Sequence, residues 1–300
     1  MFLDHFGLRE QPFGVTPDPR FLYMSPSHLE ASASLSYGIQ TRQGFMALIA
    51  KPGMGKTTLL FHLLENLRNS ARTVFLFQTH SGSRQFLRSL MADLGVNDQD
   101  DDLGHMQRRL NEVLIGELRA GRRFVVVIDE AQNLGKSVLE TVRMLSNFEV
   151  PGAKLMQIVL AGQPQLADKL ASGNLIQLRQ RISIMSRLTQ FNAVETAEYV
   201  SHRLEVAGYK GDSLFAPEAL AIINTQSEGI PRNINNLCFN ALTLGFANGQ
   251  KNIDAPILYE VLKDLDVELL GSGMAAKVRR MRYLSNPPTT PLFSKMSKIW

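Results

Sequence analysis

The sequence has a single cysteine, Cys238, so no disulfide can close within the chain, and a reducing compartment is expected. It also lacks long apolar runs: no stretch approaches the roughly 20 residues that a bilayer-spanning helix needs. The opening MFLDHFGLREQPF is broken by Asp4, Arg9 and Glu10, so no secretory leader is expected there. Excess charge is small. A formal net charge of +4 over 300 residues is only a hint of contact with nucleic acid or an anionic surface. The six histidines (His5, His28, His62, His80, His105 and His202) form neither an i, i+4 pair nor a Cys/His cluster of zinc spacing. Each therefore reads as solvated or locally bonded. What is present is an ordinary globular balance, 44% hydrophobic and 20% charged. The length suits one α/β domain of roughly 200 residues plus a smaller one.

Residues 1 to about 40 carry Pro12, Pro17 and Pro19 among Phe6, Phe13, Phe21 and Tyr23, which predicts an extended, packed lead-in to a helix near Ser27 to Tyr37. From Phe45 onward short apolar runs alternate with longer segments of helical period. The runs are FMALIA (45–50), TVFLF (73–77), FVVVI (124–128) and LMQIVL (155–160). Strands this apolar fit a sheet covered on both faces, hence parallel and joined by helices. Between them, Leu103, Met106, Leu110, Val113, Leu114 and Leu118 recur at three- and four-residue steps and mark one apolar helix face. After about Phe191 the strand pattern stops, and helical segments are expected at 193–207, 216–227, 231–247 and 255–268. Cys238 shares a helix face with Ile234, Ala241 and Leu242 and reads as a packing residue. The expected organisation is an α/β domain over 1–190 including the lead-in, a small all-helical domain over 191–270, and a flexible basic tail over 271–300 carrying KVRRMR (277–282).

The run Ala50-Lys51-Pro52-Gly53-Met54-Gly55-Lys56-Thr57-Thr58 follows an apolar strand and opens a helix, the context of a phosphate-binding loop. Backbone amides at a helix N-terminus point at phosphates, and Gly53 and Gly55 let the chain approach closely. Lys56 is then expected to bridge the outer phosphates of ATP, and Thr57 to offer its hydroxyl to Mg2+. The pattern's first glycine is Ala50 here, which would cost on the order of 1 kcal/mol if that position required a positive φ.

A second acidic motif ends the next fully apolar strand. Asp129 and Glu130 follow Ile128, at the carboxyl edge where open α/β sheets bind ligands. Asp129 is expected to serve the metal, because a hard cation prefers oxygen ligands. Glu130 is expected to act as general base on water. Taken alone, the pair could equally favour the start of a following helix; the phosphate loop upstream makes the nucleotide reading the stronger one.

With both motifs placed, the chain resembles the AAA+ superfamily, most closely the general secretion pathway protein A ATPases. The resemblance is carried by FGLREQPFGVTPDPRFLYMSPSH (6–28), YGI (37–39), KPGMGKTT (51–58), VVVIDEAQNL (125–134), IVLAGQPQL (158–166), LRQRI (178–182) and GIPRNINNLC (229–238). It spans roughly residues 1 to 268 and implies a P-loop NTPase sheet with flanking helices, followed by a small all-helical lid. It implies ATP and Mg2+ as ligands, with Pro52 to Thr58 contacting nucleotide. By the same resemblance Gln163 is a sensor of the terminal phosphate, Arg179 or Arg181 is the arginine that a neighbouring subunit inserts, and Arg232 is a lid arginine that touches nucleotide. A solvated basic helix end is the plainer reading of Arg179 and Arg181, and a helix start of the Arg232 segment.

The function this implies is an ATP hydrolase, working as a homo-oligomer in the cytoplasm or at the inner membrane, that drives assembly of a secretion or export system. An alternative is an ATP-dependent DNA-binding regulator of the transposition-helper kind; a third is a scaffold that binds ATP and barely hydrolyses it. Membrane contact is expected to be at most peripheral, through the basic tail.

Overall fold

A computed structural model describes residues 2–77, 82–96, 102–145 and 147–271, and no helix among them is long and apolar enough to cross a membrane. The KVRRMR segment, His80 and all residues from 272 onward lie outside the described residues. The chain divides into two units, one of residues 24–189 and one made of residues 2–23 together with 190–271.

The 24–189 unit is built on seven strands: β1 (Phe45–Ile49), β2 (Ala71–Leu76), β3 (Arg123–Ile128), β4 (Glu149–Val150), β5 (Ala153–Lys154), β6 (Gln157–Gly162) and β7 (Ile182–Arg187). Among the described residues, five of them form a parallel sheet in the order β2-β3-β6-β1-β7, and β4 and β5 pair as a small antiparallel hairpin. Every residue of β1 and β6 is buried, and so is all of β3 after Arg123. That matches their continuous apolar sequences, since a strand covered on both faces has no solvent side to alternate toward. Each Val, Ile or Leu so buried contributes about 1.5–3 kcal/mol relative to exposure.

The edge strand β7 was invisible as an apolar run. Its sequence ISIMSR alternates half-buried and exposed positions for most of its length, as an edge permits. The helical face read from Leu103 to Leu118 lies on the helix Leu103–Arg119, where Met106, Leu110 and Leu114 are buried and Leu103, Val113 and Leu118 pack against the same core. Asp102 starts that helix by accepting the His105 N–H at 2.9 Å.

The second unit contains the helices Ala193–Val206, Pro217–Ser227, Pro231–Ala247 and Ala255–Gly271, close to the segments read from sequence. Asn192 opens the first through a capping box with Glu195. The lead-in behaves differently from the expectation that grouped it with the α/β domain: residues 2–23 pack within the helical unit. Phe6, Phe13 and Phe21 share a buried core with Tyr199, Phe215, Ile234 and Leu258. Arg203, 8% exposed, secures this arrangement. Its guanidinium donates to the Pro12 carbonyl and to Tyr199 Oη, and sits 4.8 Å from the centre of the Phe21 ring. Cys238 is a buried free thiol in the helix Pro231–Ala247, as its helix face suggested, and burial pushes its pKa up.

Candidate functional site

Parallel strands end on the same edge of a sheet, so the turns after β1, β3 and β6 come together at their carboxyl ends. The turn after β1 runs from Ala50 to Gly55 and enters the helix Lys56–Leu67. Gly53 and Gly55 have φ of 81° and 83°, the left-handed region that side chains disfavour. Ala50 is not in that region, and its N–H extends the ladder by donating to the Gly162 carbonyl at 3.0 Å. Alanine in place of the pattern's first glycine is therefore unstrained. Lys56 is 6% exposed and its Nζ donates to the Ala50 carbonyl at 3.4 Å, which folds the ammonium back over the turn. Pro52 is exposed and Thr58 half-buried, with Met54 buried between the two glycines.

The turn after β3 meets this loop directly. Thr57 Oγ1 donates to Asp129 Oδ2 at 2.6 Å, across 72 residues of sequence. Asp129 is 4% exposed, and its other oxygen accepts the Glu130 N–H at 2.8 Å. A hydroxyl and a carboxylate held in contact are the oxygen donors a hard divalent cation uses, so the pair fits Mg2+. Glu130 takes a φ of +51°, uncommon for a residue with a side chain and an observation that often accompanies functional sites.

The Glu130 carboxylate is held by two amides. Gln132 Nε2 donates to Oε2 at 2.6 Å, and Gln163 Nε2, from the turn after β6, donates to the same oxygen at 3.2 Å. The two glutamines are also linked, since the Gln163 N–H donates to Gln132 Oε1 at 3.0 Å. Lys169 Nζ fixes the segment behind them by donating to the carbonyls of Gln132 and Leu134 at 2.6 and 2.9 Å. Gly162 leaves room for this junction, because a Cβ there would stand 2.7 Å from Gln132 Oε1. Gln132 is a member of this junction that sequence reasoning missed. Its place within VVVIDEAQNL was visible, but its bond to a residue 31 positions away was not.

The structure thus brings Lys56, Thr57, Asp129, Glu130 and Gln163 to one sheet edge. Arg179 and Arg181 differ in what holds them. Arg179 is exposed at the end of the short helix Ile176–Arg179. Arg181 donates to the Arg143 carbonyl at 3.0 Å and to Asn147 Oδ1 at 2.8 Å within its own unit. Arg232 is exposed in the first turn of the helix Pro231–Ala247, in the other unit.

Comparison with known proteins bears on the family and the fold. An AAA domain matches residues 39–170. General secretion pathway protein A of Aeromonas hydrophila is 39% identical over 254 residues, covering 84% of this chain and 46% of that protein. The chain therefore spans about half the length of that relative. ATP-dependent target DNA activator B of Escherichia phage Mu is 23% identical over 230 residues, covering 76% of this chain and 68% of its own length. Among solved structures, Cdc6p from Pyrobaculum aerophilum aligns with a TM-score of 0.62 at 14% identity, covering 96% of this chain and 88% of that one, which speaks for the fold.

Proposed function

Because the chain belongs to the AAA+ ATPases of the general secretion pathway protein A family, we propose that it hydrolyses ATP at the edge where β1, β3 and β6 end and uses the cycle to remodel a secretion or export assembly. The observation that carries the reading is the 2.6 Å bond from Thr57 to Asp129, which joins the phosphate loop to the acidic motif. In this reading Lys56 and the amides from Gly53 to Thr58 hold the phosphates, with Pro52 and Met54 shaping the turn. Thr57 and Asp129 hold Mg2+, which when bound neutralises phosphate charge. Glu130 accepts a proton from the attacking water. Among the described residues no donor is bonded to its Oε1, while Oε2 is occupied by Gln132 and Gln163. Gln163 turns its amide toward the terminal phosphate.

The chain acts as a homo-oligomer in this proposal, with Arg179 of one copy completing the site of another. Arg179 is preferred to Arg181 because Arg181 already serves Arg143 and Asn147 of its own chain. Arg232 is assigned to nucleotide binding in this proposal. The site of action is the cytoplasm, where ATP is supplied, with secretion proteins at the inner membrane as partners. The test is Glu130→Gln: phosphate release should fall by at least about a hundredfold while Mg·ATP binding persists, as loss of a general base implies. Wild-type turnover in that variant would reject the assignment. The same variant, locked with ATP and used to isolate bound proteins, should retain secretion components.

The relation to ATP-dependent target DNA activator B supports a second reading, an ATP-dependent regulator that binds DNA. It requires DNA affinity that rises with ATP and falls steeply with salt.

A further inference from the structure

His28 is a histidine the catalytic reading does not use, and it is 1% exposed. It lies in the helix Pro26–Gln40, whose N-cap is Ser25. Its Nε2 is 3.1 Å from the Met54 carbonyl, in the middle of the phosphate loop, and its Nδ1 is 2.7 Å from Ser25 Oγ. A carbonyl only accepts, so Nε2 carries the proton, and in the neutral ring Nδ1 is then the acceptor. Ser25 then donates to the ring, which orders the rest of the chain of bonds. Ser25 Oγ is 3.2 Å from Ser27 Oγ, and Ser27 Oγ accepts the Thr189 N–H at 3.3 Å. Every member can donate in one direction, from Thr189 through Ser27 and Ser25 to His28, and from His28 to Met54. The two ends of the 24–189 unit, near residues 25 and 189, are thereby tied to the turn between Gly53 and Gly55.

The target of the ring is an unusual peptide. The N–H of the Met54–Gly55 peptide belongs to Gly55, whose φ is +83°, and Gly53, one residue before Met54, has a φ of +81°. Glycine has similar access to both signs of φ, so this peptide plane can turn over at small steric cost unless something holds it. In a planar trans peptide the C=O and the N–H point in opposite directions. A bond that fixes the Met54 carbonyl toward His28 therefore fixes the Gly55 N–H away from it.

We infer that His28 is a positioning residue for nucleotide binding, whose ring locks the Met54–Gly55 peptide so that the Gly55 N–H faces the phosphates. The inference rests on the proposed nucleotide site. If the peptide turned over, a carbonyl oxygen would face the anion in place of an amide hydrogen, and affinity would fall.

Two amide substitutions separate this role from simple packing. Gln places its Nε2 at nearly the same reach as the imidazole Nε2, so His28→Gln keeps the donor to Met54. Asn ends near the Nδ1 position, so His28→Asn keeps a partner for Ser25 and loses Met54. Calorimetry with Mg·ATP on the full chain should give His28→Gln within about threefold of wild type and His28→Asn weaker by about tenfold or more, the scale of one hydrogen bond to a charged group. In hydrolysis assays the His28→Asn defect should lie in KM, with kcat at saturating ATP little changed. Equal behaviour of the two variants, or wild-type affinity in His28→Asn, overturns the inference while leaving the nucleotide site standing. No heat from wild type with Mg·ATP overturns both. Should the Asn variant not fold, Ser25→Ala carries the test: a loss of about threefold supports the relay, since a neutral bond to the ring is worth less, and unchanged affinity overturns it.

Discussion

Replacing Gln132 by alanine perturbs the candidate site at a residue that touches neither the phosphate loop nor the proposed metal pair in the bonds described above. The side chain donates to Glu130 Oε2 at 2.6 Å and accepts the Gln163 backbone N–H at 3.0 Å, so its loss removes one of two donors from the carboxylate and loosens the turn that carries Gln163. A hydrogen bond to a charged group contributes about 1.5–3 kcal/mol. Glu130 keeps the 3.2 Å bond from Gln163, so only part of its orientation is lost. At about 1.4 kcal/mol per factor of ten, kcat should fall roughly 10- to 100-fold. Lys56, Thr57 and the Gly53–Gly55 turn are untouched, so KM for ATP should stay within about threefold. The assay is steady-state phosphate release over a titration of Mg·ATP, with thermal unfolding confirming that the variant is folded. Gly162→Ala is a second route to the same junction, because its new Cβ would meet Gln132 Oε1 at 2.7 Å and Leu166 Cδ2 at 2.8 Å. A folded Gln132→Ala protein with unchanged kcat, or with its whole defect in KM, would refute the reasoning.

Arg179→Ala should abolish most hydrolysis without loss of Mg·ATP binding, and mixing it with Glu130→Gln subunits should restore part of the activity, because each copy supplies what the other lacks; no recovery on mixing counts against an arginine acting in trans. Arg181→Ala should instead lower stability by about 1 kcal/mol, read from denaturant unfolding, because its bonds to Arg143 and Asn147 lie within one chain. Glu117, 7% exposed at its side chain, accepts from Arg122 at 2.6 Å and Arg72 at 3.0 Å, and these guanidiniums hold its carboxyl below the usual carboxylate value. A pKa lowered by folding gives stability that is present above the unfolded pKa and is lost as pH falls through the folded one. Glu117→Gln should therefore be less stable than wild type near neutrality, and the gap between their melting temperatures should narrow in acid; a gap that widens on acidification contradicts the assignment.

The parts of this molecule that were legible in its sequence are those where one local pattern meets one physical demand. Strands β1, β3 and β6 announce themselves because burial on both faces leaves no room for polar residues. Gly53, Gly55, Lys56 and Thr57 announce a turn into a helix because amides and a cation at that spacing suit phosphate. The contact of Thr57 with Asp129 was inferable from the order of the motifs and the shared edge of a parallel sheet. Other features depend on partners distant in sequence. β7 has the short alternation of an edge strand, within a segment that otherwise reads as basic residues beside a helix. The prolines and aromatics of the lead-in signalled packing but not against what, and only the fold pairs Phe13 and Phe21 with the helices beyond residue 190. Gln132 and His28 have ordinary local surroundings, and their significance arises from bonds to Gln163 and Met54.

A unit made of residues 2–23 and 190–271 has a consequence for biosynthesis. Phe6, Phe13 and Phe21 leave the ribosome long before Tyr199, Phe215 and Ile234, the residues that cover them. At roughly 5–20 residues per second the interval is on the order of ten seconds or more. During it the intervening sheet can complete its own core, while the first segment waits with its aromatic rings in water. The helical unit can therefore complete its core only after the whole intervening sheet has been made.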